Sequence, residues 1–168
     1  MVVPVLETEH LLLTLLPVEP EAARRALAYF QENQAHLEPW DPLRPSTFYT
    51  EGHQLGNLAR NLDEHRAGTA CKLWVLARGR PDGPVIGTVF LSQIARGPFL
   101  SCMLGYGLDH RHVGRGWMTE GLRAVIAHVF GPLGLHRIQA NHLPTNERSA
   151  ATLRRLGFVV EGYARDYL

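Results

Sequence analysis

Residues 105–120, Gly-Tyr-Gly-Leu-Asp-His-Arg-His-Val-Gly-Arg-Gly-Trp-Met-Thr-Glu, constrain this chain more than any other stretch. They lead out of an apolar strand and through a turn with two glycines. They end in an amphipathic helix where Met118, Leu122, Val125, Ile126 and Val129 recur at helical spacing. Gly131-Pro132 is the stop signal. The first turn of any helix leaves backbone N–H groups without partners. The helix dipole adds partial positive charge there, so phosphates bind such ends. Gly114 and Gly116 carry no Cβ, which lets a ligand approach the backbone. Arg111, Arg115 and Thr119 can add side-chain donors. The segment suits a pyrophosphate; it also fits a plain strand-to-helix turn that happens to use two glycines.

Two nucleotide loops are excluded. A P-loop needs lysine after its last glycine, and Trp117 follows Gly116. A Rossmann turn needs a third glycine where Thr119 stands. Composition adds further exclusions. A net charge of +1 argues against broad nucleic-acid binding. No segment is long and apolar enough to cross a membrane. Met1-Val2-Val3-Pro4 lacks the basic start and apolar run of a leader. Cys71 and Cys102 sit among apolar neighbours and read as small core residues, without a disulfide framework. Histidines 110 and 112 flank the loop, and His136 and His142 flank a strand. None has common zinc spacing, so no metal is expected. The 168 residues suit one domain, cytoplasmic, without membrane or direct nucleic-acid partner, as a monomer or homodimer.

The organisation reads as α/β (α+β). Leu11 to Leu16 is a strand ending at Pro17, followed by a helix from Pro20 to about Gln34. Pro39-Trp40-Asp41-Pro42 and Pro45 form a rigid loop, and a second helix runs from about Thr50 to Arg66, ended by Gly68. Strands follow near Lys72–Arg78, Val85–Ile94 and Phe99–Leu108, separated by Pro81-Asp82-Gly83 and Gly97-Pro98. Such short connections imply antiparallel pairing. After the glycine-loop helix come a strand at His136–His142, a helix over about Glu147–Leu156 closed by Gly157, and a last strand from Phe158.

Arg111-x-x-Gly114-x-Gly116 after a strand resembles the acetyl-CoA loop of the GNAT N-acetyltransferases, usually Arg/Gln-x-x-Gly-x-Gly/Ala. Asn146-Glu147-Arg148-Ser149, Leu153 and Leu156-Gly157-Phe158 resemble that family's element after its fifth strand. Further runs resemble the RimJ/RimL-like ribosomal-protein alanine N-acetyltransferases. They are Asn33 with His36-Leu37 and Pro39–Pro42, Arg96-Gly97, Leu104-Gly105-Tyr106, His136–Asn141 and Glu161–Leu168. The resemblance implies a single GNAT acyl-CoA N-acyltransferase domain over 1–168. Its sheet is mixed and mostly antiparallel, flanked by helices, with splayed central strands (Phe99–Leu108 and His136–His142) and the usual final strand missing.

It also implies the chemistry: acetyl transfer from acetyl-CoA to an amine, foremost the N-terminal α-amino group of a ribosomal protein. A small amine (polyamine, aminoglycoside or amino acid) is the first alternative. A CoA-binding regulatory or ribosome-assembly protein with little turnover is the second. Acetyl-CoA is expected against Leu104, Gly105, Tyr106, Gly107 and Leu108, and against Arg111, His112, Val113, Gly114, Arg115, Gly116, Trp117, Met118 and Thr119. Asn141, Asn146 and Ser149 complete that set. A bulge within Leu104–Leu108 would free an N–H to polarise the thioester carbonyl. Ser149 is the expected proton donor to sulfur and Asp166 the expected base, with Tyr106 and Glu38 as further acid–base candidates. Plainer readings stand beside these. Asn146 is also a natural helix N-cap, Ser149 a first-turn residue facing water, Asp166 an exposed polar residue and Tyr106 a core or wall residue. Trp40 is a loop anchor or a rim aromatic, and Glu38 with Asp41 could attract a basic acceptor.

Overall fold

The computed structural model describes residues 3–167; Met1 and Val2 of the leader reading and Leu168 at the chain end lie outside the described residues. Six strands form one sheet in sequence order: β1 (Val5–Glu7), β2 (Leu11–Thr14), β3 (Cys71–Ala77), β4 (Gly87–Ala95), β5 (Ser101–Leu108) and β6 (Arg137–Ala140). Neighbours from β1 to β5 are antiparallel, as the short connections imply. Only β5 and β6 are parallel, because helix α4 (Trp117–Phe130) carries the chain back between them.

The two-residue alternation of strand side chains divides the core. One face carries Leu11, Leu13, Leu73, Val75, Val89, Leu91 and Leu104 against Leu122, Val125 and Val129 of α4. Gly121 permits the close approach, since a Cβ there would lie 3.3 Å from Leu11. The other face carries Trp74 and Leu76 against α1 (Pro20–Glu32), α2 (Gln34–Leu37) and α3 (Glu51–Ala67) through Ala23, Ala26, Tyr29, Phe30, Leu37 and Leu58. Helix α5 (Glu147–Arg155) follows β6. The caps are those the sequence offers. The Thr50 side chain accepts from the His53 N–H, Gly68 closes α3 at φ 72°, and the Asn146 side chain accepts from the Ser149 N–H.

Differences from the sequence reading have local causes. β5 starts at Ser101 rather than Phe99, because Gly97 and Leu100 both take positive φ and break the ladder. β1 and α2 are additional elements of three and four residues, too short to show a period. The strand expected from Phe158 does not form: among the described residues 158–167 no ladder pairs with it, and a strand needs a partner for its backbone groups. Cys71 and Cys102 are free and buried, and burial pushes their thiols up to about 12 and about 11.

Candidate active site

The site begins where β5 and β6 part. Their pairing runs from Ser101↔Arg137 to Leu104↔Ala140 and stops, while β5 continues to Leu108. The other edge of β5 keeps an unbroken register with β4 from Leu104↔Leu91 to Leu108↔Gly87. No bulge therefore lies within Leu104–Leu108; the irregularity falls at Ser92/Ala95, further back along β4. The donor is freed by strand parting instead. Asp109 N–H bonds the Ile86 carbonyl on β4, so alternation turns Gly107 and Gly105 to that side as well. Tyr106 and Leu108 then aim their N–H groups into the gap.

The glycine turn follows at once. Gly114 and Gly116 have φ of 80° and 79°, and a Cβ on either would meet nothing within 4 Å. Glycine is required there by the left-handed backbone and leaves open space above it. Helix α4 opens at Gly116 without a side-chain cap. Glu120 N–H closes the first turn onto the Gly116 carbonyl. The N–H groups of Trp117, Met118 and Thr119 therefore carry no intrahelical bond. Val113 and Arg115 are exposed beside them.

A buried carboxylate holds this turn. Asp109 is fully buried and accepts from the Arg111 backbone N–H (2.8 Å), Arg111 Nε (2.9 Å) and Nη2 (2.6 Å), and Asn33 Nδ2 (3.0 Å). His112 Nδ1 lies 3.3 Å from the same carboxylate. Burial pushes the Asp109 carboxyl up, but the bonds from Arg111 and Asn33 outweigh it and hold the group well below the usual carboxylate range. Asn33, also fully buried, ties this hub to the end of α1 through the Tyr29 carbonyl and accepts from His110 N–H. Glu32 takes Arg111 Nη2 as well, at 2.5 Å. Arg111, expected as a phosphate donor, is engaged by Asp109 and Glu32 as a brace while its side chain stays half exposed. Trp117 is stacked between His112 (5.1 Å) and His10 (5.8 Å), and Glu120 accepts from the His10 N–H.

On the α4 side of the gap, the Tyr106 hydroxyl lies 2.8 Å from Ser149 Oγ and donates to the Ser149 carbonyl at 3.2 Å. Two sequence candidates are therefore brought together. Burial raises the Tyr106 phenol above its ordinary value, so it stays protonated at neutral pH. Asn146 caps α5 beneath Ser149. Asn141 sits just past β6 and donates to the Tyr167 hydroxyl. Asp166 lies on the exposed tail at φ 48°. Glu38 is exposed, and Asp41 is engaged by Arg44, whose guanidinium stands 4.5 Å over the rings of Phe30 and of Phe48. Asp41 is therefore no free attractant. Trp40 is 43 % exposed, with the rest of its surface covered.

Asp109 was missed in the sequence, while Asn33 and His36 were named only within the resembling run and given no individual role. His36 bonds the Leu108 backbone, 6.2 Å from the His110 ring. Burial, then Arg148 and His110, push its pKa down against Asp109 and the Leu108 bond, which favours the neutral ring. The arrangement can seat a pyrophosphate at α4, hydrogen-bond an acyl oxygen at the gap and supply a proton from a hydroxyl pair.

Comparison with known proteins agrees with this geometry. The family model described as "Acetyltransferase (GNAT) domain" matches residues 13–159. The [Ribosomal protein uS5]-alanine N-acetyltransferase of Escherichia coli is 37% identical over 164 residues, covering 97% of this chain and 82% of that protein. The crystal structure of ribosomal-protein-S5-alanine acetyltransferase from Vibrio fischeri superposes with a TM-score of 0.90 at 35% identity, over 98% of this chain and 88% of that one. Mycobacterium smegmatis RimJ in complex with CoA-disulfide superposes at 0.85 with 26% identity, over 99% and 79%.

Proposed function

The chain belongs to the GNAT acetyltransferase family, and on that premise we infer that it acetylates the N-terminal α-amino group of a ribosomal protein. It is an acetyl-CoA-dependent N-acetyltransferase. The observation that carries the acceptor reading is the near-complete coverage by relatives named for that reaction, together with the gap left where β6 ends and β5 runs on. The reading takes residues 1–168 as one domain, with acetyl-CoA and an acceptor amine as its partners. It acts as a monomer or homodimer in the cytoplasm.

The donor's pyrophosphate sits on the N–H groups of Val113 to Thr119, and its arm runs along Leu104–Leu108 toward Asn141, Asn146 and Ser149. The Tyr106 or Leu108 N–H, bare because β6 has ended, receives the thioester oxygen. An α-amino group with a pKa of about 7.7–8.0 is already partly neutral near pH 7. Its lone pair attacks the carbonyl carbon, the C–N bond forms, and the C–S electrons go to sulfur. Ser149 gives the thiolate a proton that Tyr106 replaces from solvent. The surplus proton on nitrogen passes to water or to His36. His36 takes over the base role expected of Asp166, which lies on the exposed tail.

Mass spectrometry of ribosomal proteins incubated with enzyme and acetyl-CoA should show one protein acetylated at its N-terminus. Acetylation of small amines alone would move the acceptor to the other class. Acetyl-CoA binding without thiol release would defeat turnover. Replacing Ser149→Ala together with Tyr106→Phe should lower kcat about 10²-fold at unchanged acetyl-CoA KM, the range of a lost general acid. An unchanged kcat would remove the pair from the mechanism.

A further inference from the structure

His110 follows directly on β5, and no step of the acetyl transfer uses it. Its backbone N–H and its ring Nδ1 both lie 2.9 Å from Asn33 Oδ1. Asn33 is fully buried, and its amide nitrogen already donates to the Tyr29 carbonyl (2.9 Å) and to the Asp109 carboxylate (3.0 Å). Those two bonds use both amide hydrogens and fix which end of the side chain faces His110. An amide oxygen only accepts. The neutral His110 ring therefore carries its hydrogen on Nδ1 and keeps the lone pair on Nε2. Nε2 lies at the far edge of a side chain that is 48% exposed.

His36 is a second imidazole with a fixed tautomer. It is half-buried and donates a ring N–H to the Leu108 backbone, beyond the point where β6 leaves β5. Its other nitrogen is then the unprotonated one. The two rings have centroids 6.2 Å apart at 56°. That is too far for a direct bond between nitrogens and within reach through one water. The charged groups facing the pair are Asp109, whose carboxylate is 4.0 Å from His110 Nδ1, and Arg148 on α5. Asp109 favours a proton on His36, while burial, Arg148 and His110 oppose it. The inner ring can take a proton briefly and has reason to pass it outward.

We propose that His110 completes a proton exit with His36, and that Asn33 arms it by holding the His110 tautomer. When the amine attacks the thioester, the new C–N bond leaves a surplus proton on nitrogen. That proton moves to the unprotonated nitrogen of His36, through a water to Nε2 of His110, and on to bulk water. Each ring returns to the neutral state in which it began. The thiolate takes its own proton from Ser149, so charge and atoms balance. His110 is a positioning residue that acts through His36 and touches no substrate. The proposal rests on the reading of His36 as base and adds the group that empties it. It is indifferent to the acceptor's identity, since every primary amine must lose the same proton.

His110→Gln tests it, because the side chain is half exposed and glutamine keeps an N–H donor but takes up no proton. Its acetyl-CoA affinity, by calorimetry, should stay within about twofold of wild type. In dilute buffer its single-turnover rate should fall about tenfold, less than the about 10²-fold loss expected of His36→Gln, because water partly stands in for the relay. Added imidazole should restore the rate of His110→Gln, read as acetylated acceptor, and leave the wild type unchanged. A loss that imidazole does not restore would make His110 a structural prop and overturn the proposal. An unchanged rate in His110→Gln beside a disabled His36→Gln would also overturn it, with the base reading intact. Should His36→Gln keep its rate as well, the base reading fails and the relay with it. Nitrogen NMR of the His110 ring in the wild type should find the hydrogen on Nδ1; a hydrogen on Nε2 would remove Asn33 from its role.

Discussion

The two sides of the β5–β6 gap are built by opposite means. The turn leading to α4 is dense with interactions: a buried carboxylate with four donated bonds, a two-sided ring stack on Trp117 and a clamp from Glu120 to the β1–β2 turn. The α1–α2 side at Gly105 is sparse, since a Cβ there would meet nothing nearer than the Phe90 carbonyl at 4.0 Å. The donor is always the same molecule, so its seat can be fixed in advance, and preorganised groups cost no reorganisation when the reaction occurs. On the proposed function an acceptor chain end must enter and leave, which suits a surface that holds little.

Removing the densest point should have the largest effect. Asp109→Ala leaves Asn33 and the Arg111 guanidinium without their shared acceptor, and should lower stability by about 3 kcal/mol. Acetyl-CoA affinity should fall with it. The pH dependence has a definite sign. The folded carboxyl titrates below its unfolded value of about 3.9, so its contribution is complete above that pH and lost as pH falls further. The variant should lack this component of the acid limb in a urea titration. A wild-type acid limb would mean the hub contributes nothing, and the contrast between the two sides would collapse.

An intermediate effect is expected at Gly114→Val. The residue sits at φ 80°, where a branched side chain is strained by about 1–2 kcal/mol, and the side chain also intrudes on the phosphate seat. Acetyl-CoA KM should rise about tenfold or more, with acceptor KM unmoved. Unchanged acetyl-CoA KM would detach the turn from the donor. The smallest effect belongs to Arg137→Ala, which removes the exposed ion pair tying β6 to Glu161 on the tail. Such pairs add little to stability, and Tm should not move measurably. A clear drop would show that the tail helps hold β6, which would make the gap a third, separately braced region.

What was legible in the sequence follows the same division. Helix α4, the β3–β4–β5 meander and the glycine turn show in local spacing, because their causes lie within a few residues. Ser149 and Asn146 were legible as a helix start. Asp109 was not: alone it reads as an ordinary turn residue, and its burial depends on Asn33, 76 positions earlier. His36 was legible only as part of the resembling run, since a four-residue helix has no period to announce its role. The bulge expected within Leu104–Leu108 does not form, and the N–H groups there turn to the gap because β6 has ended. Glycines alone do not tell a kinked strand from one whose neighbour has ended.

The parting of β5 from β6 also gives the molecule a pattern of hydrogen exchange along a single strand. Gly105 and Gly107 are laddered to β4 and should exchange slowly, while Tyr106 and Leu108 face the gap and should exchange faster. Whatever fills the gap protects the second pair and leaves the first as an internal standard. Occupancy of the catalytic centre is therefore written into the alternation of four adjacent amides, readable without turnover, label or inhibitor.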